Sequence, residues 1–327
     1  MDDIRRAQGL LELETKPKSV QKLATAGMPG LADLVLFATA LMWGINIIVF
    51  KYATNGYDPW VFNGLRLIFA TLTLGVLAWA EAIFSPRSVS KRVPWLRVIA
   101  FCFISGALYL IIFVKGIALT TAGNTALILA SMPMWTALLS MHFLQERLPP
   151  VTWLGLLVTF FGTLIVTTQG SGNVSLASEY FVGNLFMLVA AIVWASGTVL
   201  SKGILEAISP LRLAFISALL TTPVHLVIAY FVATTTMPNF WQETMRPMTV
   251  VAIVYSGIFS TGVAYATWHF GVRAVGGSHA AVYQNVVTLV AVFGGWLLLG
   301  ETLVAVQLLG GILTIVGLLL MRRGRAG

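Results

Sequence analysis

The stretch WGINIIVFKYATNGYDP, residues 43–59, is answered by WASGTVLSKGILEAISP, residues 194–210, and this correspondence decides the fold. Trp43 and Trp194, Lys51 and Lys202, and Pro59 and Pro210 each stand 151 residues apart, as do Ser105-Gly106 and Ser256-Gly257. Helix faces and turns therefore recur in step, which is the signature of an internal repeat. A second spacing then takes over. Gly116 and Gly271, Ala126 and Ala281, Glu146 and Glu301, Gly155 and Gly310, and Gly162 and Gly317 are each 155 apart. Four residues, about one helical turn, entered the second copy between Gly257 and Gly271.

Both copies lie on apolar segments. Hydrophobic residues make up 58% of the chain, charged residues 10%, and mean hydropathy is +0.88, whereas a soluble chain is roughly one-quarter charged. The solvent of this chain is lipid. Apolar runs near 31–51, 60–80, 97–116, 122–144, 151–168, 181–202, 211–233, 248–271, 278–299 and 303–321 are each of the length, about 20 residues, that crosses a bilayer. The expected fold is all-α: a polytopic membrane protein of ten transmembrane helices. Five spans per copy is an odd number, so the second copy enters from the opposite side. The expected organisation is a tail at 1–30 and two inverted five-helix repeats, 31–168 and 181–321, in one membrane domain. Such halves can rock about a site between them, which is the architecture of a secondary transporter.

Positive charge gives the orientation independently. Of the 20 Lys and Arg residues, sixteen fall on the side of the N-terminus, while Lys51, Lys115 and Arg246 fall on the other and Arg66 lies within a span. This bias places both termini in the cytoplasm and the protein in the cytoplasmic membrane. The net charge of +8 sits at span ends rather than on one interleaved patch, so it reads as topology and headgroup contact, not nucleic-acid binding. Cys102 is the single cysteine, has no intrachain partner and reads as packing. The first apolar run is too long for a signal-peptide core and reads as a retained span.

Polar side chains inside a bilayer avoid lipid, so their helical spacing marks inward faces. The stripes run Thr39, Trp43, Asn46 in the first span; Asn63, Arg66, Thr73 in the second; Ser105, Tyr109 in the third; and Asn124, Ser131, Trp135, His142 in the fourth. In the second copy they run Asn184, Trp194, Thr198, Ser201; Ser217, Thr221, His225; Tyr255, Gly262, Tyr265, His269; and Gln284, Asn285, Thr288. The fifth and tenth spans carry instead glycines seven apart, Gly155/Gly162 and Gly310/Gly317, a seam for close helix packing. The pattern implies a polar cleft lined by spans 1–4 and 6–9. Its candidate substrate-binding residues are Trp43, Asn46, Arg66, Tyr109, Trp135, Trp194, Tyr265 and Gln284. Two readings of Trp43 and Trp194 stand side by side, substrate stacking and repeat-related packing. Pro133 and Pro223 are expected to kink their helices and free carbonyls.

Acids stay near span ends. Glu146 and Glu301, in LQERLP and LGETL, are expected to cap helix starts or hold short turns. Arg66 is the intramembrane cation, and an uncompensated charge there is costly. It either binds an anionic part of the solute, bidentately as guanidinium does, or bonds carbonyls freed near Pro59 or Pro133. An intramembrane enzyme would need convergent catalytic groups, and the sequence has no paired intramembrane carboxylates, no HExxH and no GxSxG. His142, His225, His269 and His279 are scattered. No catalytic residue, metal site or cofactor is expected.

The stretches ALMWGINIIVFKYA (40–53), DPWVFNGLRLIFA (58–70), NTALILASMPMWTALLSMHFLQERLPPVTWLGLLVTFFGTLIV (124–166) and AVYQNVVTLVAVFGGWLLLGETLVAVQLLGGILTIVGLLL (281–320) together resemble the ten-helix EamA-type permeases of the drug/metabolite transporter superfamily. The resemblance covers about 31–321 and implies a central cavity formed by helices 1–4 and 6–9. It does not extend to the small four-helix drug exporters, whose buried glutamate in helix 1 this chain lacks. The implied function is a transporter that moves a small polar metabolite, such as an amino acid, outward by alternating access. The partners implied are a small-molecule substrate and the bilayer. Import, a channel or an intramembrane enzyme are the alternatives.

Overall fold

The computed structural model describes residues 29–84, 92–145, 148–168, 179–275, 280 and 283–326. The expectations for the tail and for Glu146 lie outside the described residues. Every element described is helical. In chain order they are α1 (Pro29–Thr54), α2 (Pro59–Phe84), α3 (Trp95–Ala118), α4 (Ala122–Leu144), α5 (Pro150–Thr168), α6 (Phe181–Ile204), α7 (Pro210–Thr236), α8 (Pro247–Val275), α9 (Gln284–Leu299) and α10 (Ala305–Ala326). The helical turn Phe240–Thr244 precedes α8. Among the described residues, α1–α8 are long and apolar enough to cross a membrane, and the apolar stretches of α9 and α10 are shorter. Their outer surfaces are greasy, with Leu72, Trp79 and Leu297 more than half exposed, which suits lipid and not water.

Equivalent residues start and stop the helices of the two repeats. Proline at the first position opens α2 and α7, where a missing N–H costs nothing. Asp58 Oδ1 accepts the Trp60 and Val61 amides at 2.8 and 3.1 Å, and its repeat mate Ser209 accepts the Arg212 amide at 3.2 Å, so both helices are N-capped. At the other end of each repeat the chain leaves α4 through Gln145 (φ 55°) and α9 through Gly300 (φ 67°). Glycine adopts this left-handed conformation freely, and glutamine does not. Gln145→Gly is therefore expected to stabilise the fold by about 1 kcal/mol, and Gly300→Gln to destabilise it by a similar amount, both read as shifts in the melting temperature of purified protein.

The extra residues of the second copy are taken up in α8, which has 29 residues against 24 in α3. Both helices widen into a π-helical segment around the repeated Ser-Gly pair, Cys102–Leu108 in α3 and Tyr255–Val263 in α8. Such segments leave carbonyls out of register and free for other donors. Of the two expected proline kinks, α4 breaks at Ala130–Ser131, just before Pro133, whereas α7 runs through Pro223 unbroken.

The repeats interlock. α1 packs on α8 and α9 of the second repeat, and α6 packs on α3 and α4 of the first. α2 and α7 run antiparallel: Gly64 abuts Ala229, Gly75 abuts Phe215, and between them Thr71 and Thr222 share a hydrogen bond of 2.8 Å. Thr71 and Thr222 are repeat mates, 151 residues apart. α5 and α10 pair in the same antiparallel sense, Gly155 against Gly317 and Gly162 against Gly310.

Candidate functional site

Contacts among the loops define two ends of the helix bundle. At the first, here the Glu301 end, Tyr57 Oη meets Thr244 Oγ1 at 2.7 Å, and Lys51 Nζ donates to the Ile117 and Ala118 carbonyls that close α3. Burial raises the Tyr57 phenol above its ordinary pKa. The Glu301 carboxylate accepts the Ala122 and Gly123 amides at 2.6 and 3.0 Å. It thereby caps the start of α4, where unpaired N–H groups and the helix dipole favour an anion. A side chain on Gly295 would strike that carboxylate. Next to it Gln307 donates to Asn124 at 2.7 Å, Thr120 joins Asn124 to Asn184, and Asn184 Nδ2 donates to the Val166 and Thr167 carbonyls. One polar network thus ties α4, α5, α6 and α10 together.

The largest hydrophobic cluster fills this same end. Phe50, Phe62, Phe113, Ile128, Met187 and Val292 come from α1, α2, α3, α4, α6 and α9. The opposite, Glu81 end is built differently. Glu81 pairs with Arg273 at 3.4 Å and accepts the Ser209 hydroxyl, and around them Leu211, His269 and Phe270 line a small cleft. Two separate apolar clusters pack it, Val98, Phe101, Ile204 and Leu213 on one side and Met134, Leu156, Leu318 and Met321 on the other, and α1 meets α8 here through Leu36 against Gly271. Neither cluster includes a residue of α1, α8 or α9. One cluster thus seals the Glu301 end, and smaller ones pack the Glu81 end.

Arg66 lies beneath the seal. Its guanidinium sits 5.4 Å over the Phe50 ring and donates to Asn63 Oδ1 and Thr261 Oγ1. Neither of the partners expected from the proline positions, carbonyls near Pro59 or Pro133, is engaged. Asn63 in turn meets His225 Nδ1 at 3.3 Å, and His225 Nε2 meets the Gly106 carbonyl at 3.0 Å, inside the π-helical segment of α3. Gly257 packs on the Arg66 carbonyl, so a side chain there would push α8 off α2.

The structure places the other expected residues unequally. Tyr109 stands 4.9 Å from Trp194 and 5.7 Å from Phe113, and Phe113 packs on Phe50. An aromatic run therefore leads from Trp194 to Arg66. Trp194 is 37% exposed, whereas its mate Trp43 donates to the Ser260 carbonyl at 3.0 Å and packs on Trp268. The repeat mates are thus not equivalent: Trp43 bolts α1 to α8, and Trp194 stands open. Asn46 keeps a buried Oδ1 with no hydrogen-bond partner among the described residues. Trp135 bonds Ser131 within its own helix and packs beside the Met134 cluster, and Tyr265 stacks edge-on with His269 toward the Glu81 end. Gln284, at the start of α9, is half-buried. Asn63, His225 and Glu301 complete the arrangement and were not in the expected set. Asn63 and His225 were each visible as stripe members, but their pairing across 162 residues has no local signal.

The EamA-like transporter family matches this chain twice, over residues 30–168 and 181–323. An uncharacterized transporter of Bacillus subtilis, YoaV, is 23% identical over 87% of this chain and 94% of its own length. A protein of Escherichia coli named as a probable amino-acid metabolite efflux pump is 24% identical over 85% of this chain and 90% of its own. A solved crystal structure shares the fold, with a TM-score of 0.58 at 20% identity, covering 88% of this chain and 94% of that one.

Proposed function

Because this chain belongs to the EamA-like transporter family and is a membrane transporter rather than an enzyme, we propose that it exports amino acids or similar small polar metabolites by alternating access. Ten spans form two inverted five-helix repeats, 31–168 and 181–321, and the solute binds in the cleft between them. The observation that carries this reading is the single large apolar cluster joining the helices at the Glu301 end, against the smaller, separate clusters at the Glu81 end. The positive-inside bias assigns the Glu81 end and both termini to the cytoplasm, in the cytoplasmic membrane. In this orientation the Glu301 end is the outer, closed end, and solute loads from the Glu81 end. Outward opening requires the Glu301 network to part while the Glu81 end closes, a rocking of the halves about the contact between Thr71 and Thr222.

Trp194, Tyr109, Arg66 and Asn46 line the loading side. Tyr265, Gln284 and Trp135 border the entry, and Trp43 joins the cleft only as its α8-facing wall. The relative named as an amino-acid metabolite efflux pump supports the solute class and direction. Counterflow in proteoliposomes tests the proposal: unlabelled amino acid inside is expected to draw labelled amino acid in transiently above its equilibrium level. Equal uptake into protein-free liposomes for every amino acid would contradict it.

A further inference from the structure

A guanidinium offers five N–H donors. In Arg66, Nε and Nη2 spend one each on Asn63 Oδ1, at 3.1 and 2.8 Å, and Nη1 spends one on Thr261 Oγ1 at 3.2 Å. One N–H on each terminal nitrogen therefore has no partner among the described residues. The side chain is 5% exposed, and among the described residues no carboxylate pairs with it. A buried cation with spare donors and no counter-charge is costly unless something supplies both.

The hydrogen bonds behind Arg66 have a fixed direction. Arginine only donates, so Asn63 must turn its oxygen toward Arg66 and its amide nitrogen toward His225. His225 Nδ1 is then the bare nitrogen, and Nε2–H donates to the Gly106 carbonyl. Each link in this chain is filled. Asn63 Oδ1 thus stands on one edge of the guanidinium where a carboxylate oxygen could stand, yet it brings no charge.

We propose that Arg66 is the anchor for an anionic group of the solute, a carboxylate, which docks on the two uncovered terminal N–H groups. Asn63, oriented by His225, holds the Nε–Nη2 edge of the guanidinium and so fixes its plane. The proposal deepens the transporter reading of the same cleft and rests on it. Asn46 stands one turn before Phe50 on the same face of α1, and its unpartnered buried oxygen is an acceptor of the kind an ammonium group needs. A solute bearing both charges, as an amino acid does, fits the pair.

Acetate and acetamide, alike in shape and different in charge, are the probes. Each is titrated into purified full-length protein at one ionic strength, and tryptophan fluorescence and the melting temperature are read. Acetate is expected to stabilise the wild-type protein and acetamide not to. Asn63→Asp gives Arg66 a carboxylate of its own, so this variant is expected to fold and to bind acetate about tenfold more weakly or worse. Arg66→Gln is expected to lose the response as well. Equal responses to the two probes, no response in the wild type, or an unchanged response in Asn63→Asp would overturn the proposal. Binding in detergent is separate from transport. A failed acetate response with counterflow intact rejects this site alone, and acetate binding without counterflow of any amino acid rejects the transporter reading.

Discussion

Gly162→Val is expected to remove most of the folded protein, seen as loss of the monodisperse peak in size-exclusion chromatography of a fluorescent fusion and a steep fall in melting temperature. α5 and α10 meet backbone to backbone: a Cβ on Gly162 would lie 2.5 Å from the Thr314 nitrogen and 2.6 Å from the Gly310 oxygen. These atoms cannot rotate aside, so the helices must separate. The same holds reciprocally, since a Cβ on Gly317 would meet the Gly155 oxygen at 2.6 Å. In lipid no hydrophobic force draws two helices together, and close van der Waals packing carries the pairing. Overpacking of this kind costs about 3 kcal/mol, a large share of a typical stability of about 5–15 kcal/mol. Gly30→Ala is the control, because a Cβ there meets no described residue within 4 Å, and its effect is expected within about 0.5 kcal/mol. Equal losses in both variants would contradict the seam.

Glu301→Gln is expected to leave the protein folded and to release the seal at the Glu301 end, the outer one in the proposed orientation. The carboxylate offers an oxygen to each of the Ala122 and Gly123 amides. A glutamine offers one oxygen and turns its own N–H groups on the other amide. Losing a charge-assisted cap of this kind costs about 2 kcal/mol, and in the proposed cycle, where the cap exists only while this end is closed, the loss falls on the closed state. The ratio of closed to open then falls roughly thirtyfold. The measurement is the rate at which an impermeant maleimide labels a cysteine at Leu127, in the sealed cluster, from the outer face. A rate unchanged by Glu301→Gln would show that the network does not hold the seal.

Sequence periodicity reached those parts of the molecule in which both repeats carry the same residue. The glycine seam of α5 and α10 was legible because its partners recur at a fixed spacing in both copies, and the cap role of Glu301 because an acid beside a helix start has few other uses. Which helix Glu301 caps was not legible: it serves α4, far away in the chain, rather than its neighbour α10. Trp43 and Trp194 look alike in the sequence, and only their distant partners separate them: Trp43 bonds the Ser260 carbonyl and packs on Trp268, whereas Trp194 meets Tyr109. The chain from Arg66 through Asn63 to His225 joins α2 to α7 and α3, and no pattern along one helix encodes such a contact. Lys51, which the sequence shows only as a cation on the side away from the N-terminus, donates to the carbonyls at the end of α3.

Alternating access rests most directly on which face reaches the cleft. The decisive measurement uses a single cysteine at Thr198, one turn past Trp194 on α6, in protein carrying Cys102→Ser. An impermeant maleimide is added to right-side-out and to inverted membrane vesicles. The account predicts rapid labelling in inverted vesicles, little in right-side-out vesicles, and outer labelling that rises when Glu301→Gln is added. Rapid labelling from the outer face of the otherwise wild-type protein, or none from either face, would contradict it.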